Sequence, residues 1–157
     1  MWDRVQEARV TNPPAVAAVA RNAVRQQRAL RALLEQVEAA FVRSPPRTGS
    51  GPDVVAARLD TLRGPLQAHF DEEERARLFE TIEEHAPEHA SACKRLRDEH
   101  RTLLQRLDRL RVASPEGRRG GAWVGDVRQF LADVLGHEDR EAELLQRALD
   151  GGAPAED

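Results

Sequence analysis

The fold is decided by residues 127–148, which read VRQFLADVLGHEDREAELLQRA. An α-helix turns by about 100° per residue, and at that spacing the apolar side chains of this stretch share one face. The face consists of Val127, Phe130, Leu131, Val134, Leu144, Leu145 and Ala148, together with His137 and Glu141. Because His137 and Glu141 are four residues apart, their side chains can reach one point. The stretch therefore predicts a long helix that places an imidazole and a carboxylate inside a hydrophobic core.

Proline- and glycine-rich segments divide the chain into four helical segments. Two breaks are loops by composition, SPPRTGSGP at residues 44–52 and ASPEGRRGG at residues 113–121, and Pro87 marks a weaker break. The predicted helices lie at about residues 14–42, 53–85, 87–112 and 122–149. Within the second of them, Gly64-Pro65 predicts a kink or a short preceding helix, because proline removes an intrahelical hydrogen bond.

Four long helices joined by short loops favour an all-α fold, the up-down-up-down four-helix bundle. We expect the bundle over residues 14–150, with an N-terminal arm at residues 1–13 and a C-terminal tail at residues 151–157. Aromatic residues make up only 4% of the chain and there is no tyrosine, whereas helix-forming residues are abundant. This composition argues against an all-β fold, because strands favour aromatic and β-branched side chains.

The charge and the apolar content of the chain exclude several functional classes. A net charge of −3 over 157 residues gives no reason to expect binding to nucleic acid. No apolar run approaches the roughly 20 residues of a membrane span, and the N-terminal MWDRVQEARV is too polar for a signal peptide. A single cysteine, Cys93, cannot form an internal disulfide. These features predict a cytoplasmic protein that binds neither nucleic acid nor membrane.

The second and third predicted helices also carry histidines on their apolar faces. His69 and Glu73, again four residues apart, share a face with Val55, Leu62, Leu66 and Ala76. His100 lies in the middle of a face formed by Leu96, Leu103, Leu107 and Leu110. A buried ionised carboxylate is costly unless it is paired or bound to a metal, and helix bundles hold iron or manganese with imidazoles and carboxylates from facing helices. The pattern therefore favours metal binding over a purely structural polar core.

These residues resemble a known family. The segments HFDEEE (residues 69–74), Glu99-His100 and HEDRE (residues 137–141) are similar to the signature of the hemerythrin-like HHE cation-binding domain, and the similarity covers about residues 14–149. The resemblance implies a four-helix bundle around a non-haem di-iron centre. It implies terminal ligation by His69, His100 and His137, with bridging carboxylates from Glu73 and Glu141.

The first helix departs from that family pattern. The family also has a histidine there, about forty residues before the one in the second helix, but this helix has none. Gln27 is the polar residue at the ligand level of its apolar face. Its amide could hydrogen-bond a neighbour in the core or act as a weak, neutral ligand, or the metal position could be left to water.

The resemblance implies a non-haem iron protein that interacts with dioxygen, nitric oxide or peroxide. It leaves open whether the chain stores, senses or detoxifies these ligands, or is an enzyme such as a di-iron oxidase, an oxygenase or a peroxide-consuming protein. One alternative is a degenerate bundle without a di-iron centre that acts through a protein partner. Another is a mononuclear iron or zinc site formed by His100, His137 and Glu141, since two histidines and a carboxylate are a recognised ligand set.

Three other residues are weaker candidates for a site. His85 and His89 are four residues apart, but Pro87 lies between them, so we interpret them as surface residues. Cys93 lies near the buried edge of the third helix and is interpreted as a small packing residue.

Overall fold

The computed structural model describes residues 13–43, 51–112 and 121–151. The predicted arm before Pro13, most of the two loops and the tail beyond Gly151 lie outside these residues. All described elements are helical: α1 (Pro13–Arg43), α2 (Gly51–Arg75), α3 (Leu78–His85), a 3₁₀ turn (Pro87–His89), α4 (Ala90–Val112) and α5 (Gly121–Gly151). The all-α prediction is therefore confirmed.

The four long helices form a closed ring. Helix α1 packs against α2 and α5, and α4 packs against the same two helices. Each long helix thus contacts the next one along the chain, and the last contacts the first, which is the neighbour pattern of an up-down-up-down bundle. The short α3 packs across one end, in contact with α1, α2, α4 and α5.

The second predicted helix, residues 53–85, is wrong in one respect, because the span is divided into α2 and α3. A separate helix before Gly64-Pro65 does not form, because α2 continues through Pro65. The chain breaks instead after Arg75, where Arg77 has the left-handed dihedral angles φ 56° and ψ 41°. Pro65 and the residue four before it, Thr61, are both exposed, so water can bind the carbonyl that lacks an amide partner.

The core consists of two apolar clusters stacked along the bundle. One lies between the C-terminal half of α1, α2, the C-terminal half of α4 and the N-terminal half of α5. The other joins α3 to Ala23 of α1, Cys93 and Leu96 of α4, and Leu144, Leu145 and Ala148 of α5. The break at Pro87, which was predicted, turns the chain from α3 into α4 beside this second cluster.

The described helices differ from those that cross a bilayer. None of them combines the length and the apolar character that a membrane-spanning helix needs.

Candidate metal centre

A layer of buried polar side chains separates the two apolar clusters. It is drawn from all four long helices and consists of Gln27, His69, Glu73, His100, His137, Glu138 and Glu141. His137, Glu138 and Glu141 are 0% exposed. On α1, α4 and α5 this layer lies one turn from apolar residues on either side, so the helical periodicity that builds the core also places these groups within it.

The layer offers two overlapping sets of potential ligands. One set is Glu73, His100, His137 and Glu141, and the other is His69, Glu73 and Glu138. Within each set, one ligand atom from every residue lies within 4.8 Å of the others. Glu73 belongs to both sets, so the structure brings together all five residues expected from the sequence and adds Glu138.

The two oxygens of Glu73 face different histidines. Its Oε1 lies 2.7 Å from His69 Nε2, and its Oε2 lies 3.3 Å from His100 Nε2. His69 Nε2 also lies 3.0 Å from Glu138 Oε1. This is the arrangement required of a carboxylate that bridges two adjacent positions.

The set that contains His100, His137 and Glu141 is centred on two imidazole nitrogens. His100 Nε2 and His137 Nε2 are 3.1 Å apart, and His137 Nε2 lies 3.7 Å from Glu141 Oε2. Both rings therefore direct the same nitrogen at one point, with the carboxylate of Glu141 beside it.

Most carboxylate oxygens in the layer have no hydrogen-bond donor. Among the described residues, both oxygens of Glu73, both of Glu141 and Oε2 of Glu138 are buried without one. Leaving a buried charged group unpaired costs several kcal/mol in the folded protein, on the order of 3–5 kcal/mol. The donor set thus fits a bound cation, which would satisfy these oxygens.

Burial and neighbouring charges shift three pKa values in the layer. Burial alone would lower the pKa of His69, but the carboxylates of Glu138 and Glu73 raise it to about 9. Burial, together with the nearby imidazoles of His137 and His69, lowers the pKa of His100 to about 3. Burial and the neighbouring carboxylates Glu73 and Glu138 raise the pKa of Glu141 well above its usual value. In the absence of metal, the surroundings of Glu141 therefore disfavour the charged form of its carboxylate.

Contacts outside the two sets orient the imidazole of His137. Its Nδ1 lies 2.9 Å from Glu99 Oε2, and Arg140 Nη2 donates to the same oxygen at 2.7 Å. Burial alone would raise the pKa of Glu99, but the hydrogen bonds from His137 and Arg140 hold it below its usual value. A carboxylate that accepts the Nδ1 hydrogen leaves Nε2 free to bind a metal.

A phenylalanine ring separates the imidazoles from the apolar cluster below them. Phe70 stacks on His100 with ring centroids 4.0 Å apart and an interplanar angle of 7°. The same ring meets His137 edge-on at 5.5 Å and lies tilted against His69 at 5.6 Å. One side chain thus contacts all three histidines of the layer.

A cleft of about 450 Å³ between α2 and α4 leads to this layer. Arginines Arg63, Arg97 and Arg101 lie along it, and the buried Phe70 and His100 form its inner wall. The Nδ1 edge of His100 faces Glu74 Oε1 at 3.6 Å, and the Glu74 side chain is more than half exposed. His100 is therefore the layer's imidazole that borders the cleft.

Gln27 lies in the layer, where the sequence placed it. Its Nε2 donates to the backbone carbonyl of Glu138 at 3.4 Å, which corresponds to the alternative of a core glutamine bonded to a neighbour. Ligation of a metal by its amide oxygen stays a prediction.

Sequence reasoning missed Glu138, although a signal was present. Glu138 lies four residues after Val134, three before Glu141 and seven before Leu145, so it belongs to the same helical face. The predicted face includes His137 and Glu141 but not Glu138.

His85 and His89, which we interpreted as surface residues, are half-buried. Neither belongs to the two ligand sets. They lie around Pro87, where the chain folds back between α3 and α4. Cys93 is buried in the second apolar cluster, and burial raises the pKa of its thiol to about 11, as suits a packing residue.

The comparisons with known proteins agree with this architecture. A family model described as hemerythrin HHE cation binding domain matches residues 19–149. Neither the curated proteins nor the solved structures give a significant match. The matched range includes the polar layer and both apolar clusters.

Proposed function

Because the chain belongs to the hemerythrin HHE cation-binding domain family, we propose that its buried layer holds two iron ions that interact with dioxygen, nitric oxide or peroxide. The two overlapping ligand sets support two adjacent metal positions. In this proposal the protein senses or detoxifies dioxygen, nitric oxide or peroxide, or uses one of them in an oxidation. Any oxidase, oxygenase or peroxide-consuming activity would take place at the same site.

The observation that carries the proposal is the group of three fully buried carboxylates. Glu73, Glu138 and Glu141 bring a formal charge of −3 into the core when ionised, and five of their six oxygens have no hydrogen-bond donor. Two divalent cations would neutralise this charge and bind those oxygens. A structural polar core would instead be expected to satisfy its groups by hydrogen bonding.

Each residue of the layer has a definite role in this proposal. Glu73 would bridge the two positions, because one of its oxygens faces His69 and the other faces His100. His100 and His137 present Nε2 to one position, and His69 presents Nε2 to the other. The resemblance implies that Glu141 is the second bridge. Its carboxylate lies beside His137, and Glu73 and Glu138 both contribute to the raised pKa of Glu141.

Iron, when bound, supplies the capacity to bind dioxygen, nitric oxide or peroxide and to exchange electrons with them. The protein chain provides a route by which the small molecule reaches the site, and it keeps solvent out of the layer. The cleft between α2 and α4 brings small molecules to His100, while Phe70 and Phe79 contact the imidazoles from within the core. The neutral Gln27 in α1 favours sensing, detoxification or oxidation over reversible oxygen carriage, because a position with one fewer strong ligand is more open to chemistry.

Metal stoichiometry and identity in protein purified without added metal test the proposal. We expect two irons per chain, either as purified or after anaerobic addition of ferrous iron, with the near-ultraviolet absorption of a di-ferric centre after exposure to air. No bound metal after iron supplementation would refute the proposal and favour the bundle that acts through a protein partner.

A mononuclear site is the second candidate function. The set of Glu73, His100, His137 and Glu141 is complete by itself, since it offers the four donors that zinc or a single iron commonly takes. One metal per chain, lost on replacement of His137 and retained on replacement of His69, would favour this candidate.

A further inference from the structure

Glu138 has the contacts of a metal ligand. It is 0% exposed, its Oε1 lies 3.0 Å from His69 Nε2, and its Oε2 is buried without a hydrogen-bond donor. Gln27 contacts Glu138 only through the backbone, where its Nε2 donates to the Glu138 carbonyl. That bond does not engage the carboxylate of Glu138.

We propose that Glu138 is a metal ligand and that it makes the two positions of the site chemically unequal. This inference rests on the proposed function and deepens it. The first position, at His69, Glu73 and Glu138, offers one nitrogen and otherwise carboxylate oxygen. The second position, at His100, His137, Glu73 and Glu141, offers two nitrogens.

The unequal donors predict unequal metal preference. Carboxylate-rich sites suit hard ions such as Mn²⁺, whereas imidazole suits zinc and iron. Zinc also binds nitrogen donors more tightly than manganese does, by the general order of stabilities of divalent metals. When both ions are supplied, Zn²⁺ therefore occupies the position of His100 and His137, and Mn²⁺ occupies the position of His69 and Glu138.

A variant of nearly unchanged size tests the role of Glu138. Glu138→Gln removes the charge and is compared with Glu143→Gln, the same change at an exposed residue of the same helix. Metal-free protein is titrated with Mn²⁺, and the free ion is followed by its electron paramagnetic resonance signal. We expect two Mn²⁺ per chain in the natural sequence and in Glu143→Gln. We expect Glu138→Gln to bind one Mn²⁺ per chain. At the position of His69, its affinity for Mn²⁺ should fall by more than the roughly 10–100-fold that loss of a contact to a ligand costs.

The outcomes separate this inference from the proposed function. If the natural chain binds no metal, both fail. If it binds two ions and Glu138→Gln binds two with unchanged affinity, only the assignment of Glu138 is overturned. Circular dichroism establishes that the variant is folded.

A second measurement uses the natural sequence and does not depend on any variant. One equivalent of Zn²⁺ is bound first and one equivalent of Mn²⁺ is then added. Bound Mn²⁺ is expected to show pulsed magnetic-resonance coupling to a single imidazole nitrogen, that of His69. Coupling to two imidazoles, or displacement of Mn²⁺ from the chain, would overturn the inequality of the two positions.

Discussion

Replacement of Phe70 by leucine tests how the core holds the imidazoles in place. The ring is 1% exposed and contacts His69, His100 and His137, most closely through the parallel stack on His100. Leucine keeps the site apolar but removes the flat surface against which His100 lies.

The cost follows from two terms. A hydrophobic exchange of similar volume usually costs less than about 1.5 kcal/mol. An aromatic pair is worth about 0.5–1.5 kcal/mol beyond the area it buries. Together they predict that Phe70→Leu lowers the free energy of unfolding of the metal-free protein by about 1–3 kcal/mol.

The more specific effect is expected on metal affinity. Residues that orient metal ligands typically contribute about 10–100-fold to affinity, and we expect a loss in that range for Phe70→Leu. Phe130→Leu is the matched control. Phe130 is equally buried in the same apolar cluster, but its ring faces the guanidinium of Arg106. It should lower stability by about 1–2 kcal/mol and leave metal affinity unchanged.

Urea unfolding of metal-free protein measures the first effect, and competition with a chromogenic chelator measures the second. If both variants lose the same stability and both keep the natural metal affinity, Phe70 only fills space. The positions of the histidines would then be determined by their own helices.

Three further predictions concern the site and its surroundings. His137→Ala and Glu141→Ala should each abolish or strongly reduce metal content by elemental analysis, whereas His85→Ala should not; the reverse pattern would show that the site is misplaced. Metal at 100–1,000 times its Kd should raise the free energy of unfolding by about 3–4 kcal/mol, because it binds only the folded chain, and identical melting temperatures with and without metal would contradict an internal site. Cys93 is buried and its thiol pKa is raised to about 11, so iodoacetamide at pH 8 should label it only after denaturation. Rapid labelling of the native protein would show that the second apolar cluster opens readily.

The helical period of the sequence was sufficient to find five residues of the layer. His69, Glu73, His100, His137 and Glu141 are each bordered by apolar residues at helical spacing, which is a property of one helix at a time. Glu138 also lies at helical spacing from Val134 and Leu145, but its contact with His69 depends on another helix. A glutamate is usually exposed, and Glu138 meets His69 only because α2 and α5 face each other across the interior of the bundle.

The break at Arg77 could not be read from composition for a related reason. Left-handed backbone angles usually call for glycine, and an arginine at such a position carries no signal of its own. Pro65, which does carry a signal, lies on an exposed face where the helix tolerates it. The one indication was that Leu78, Phe79 and Ile82 rotate away from the apolar face of the preceding residues.

That unexpected break matters to the site, because it determines how the layer is closed. A straight helix over residues 53–85 would carry Leu78, Phe79 and Ile82 off the face that bears His69 and Glu73. The turn at Arg77 redirects α3 so that these three residues are buried with α1, α4 and α5 in the second cluster. Phe79 then lies 5.6 Å from the ring of His100, on the side opposite the first cluster. Both ends of the layer are thus covered by apolar side chains, and the cleft along α2 and α4 is where the described residues leave His100 bordering an open space.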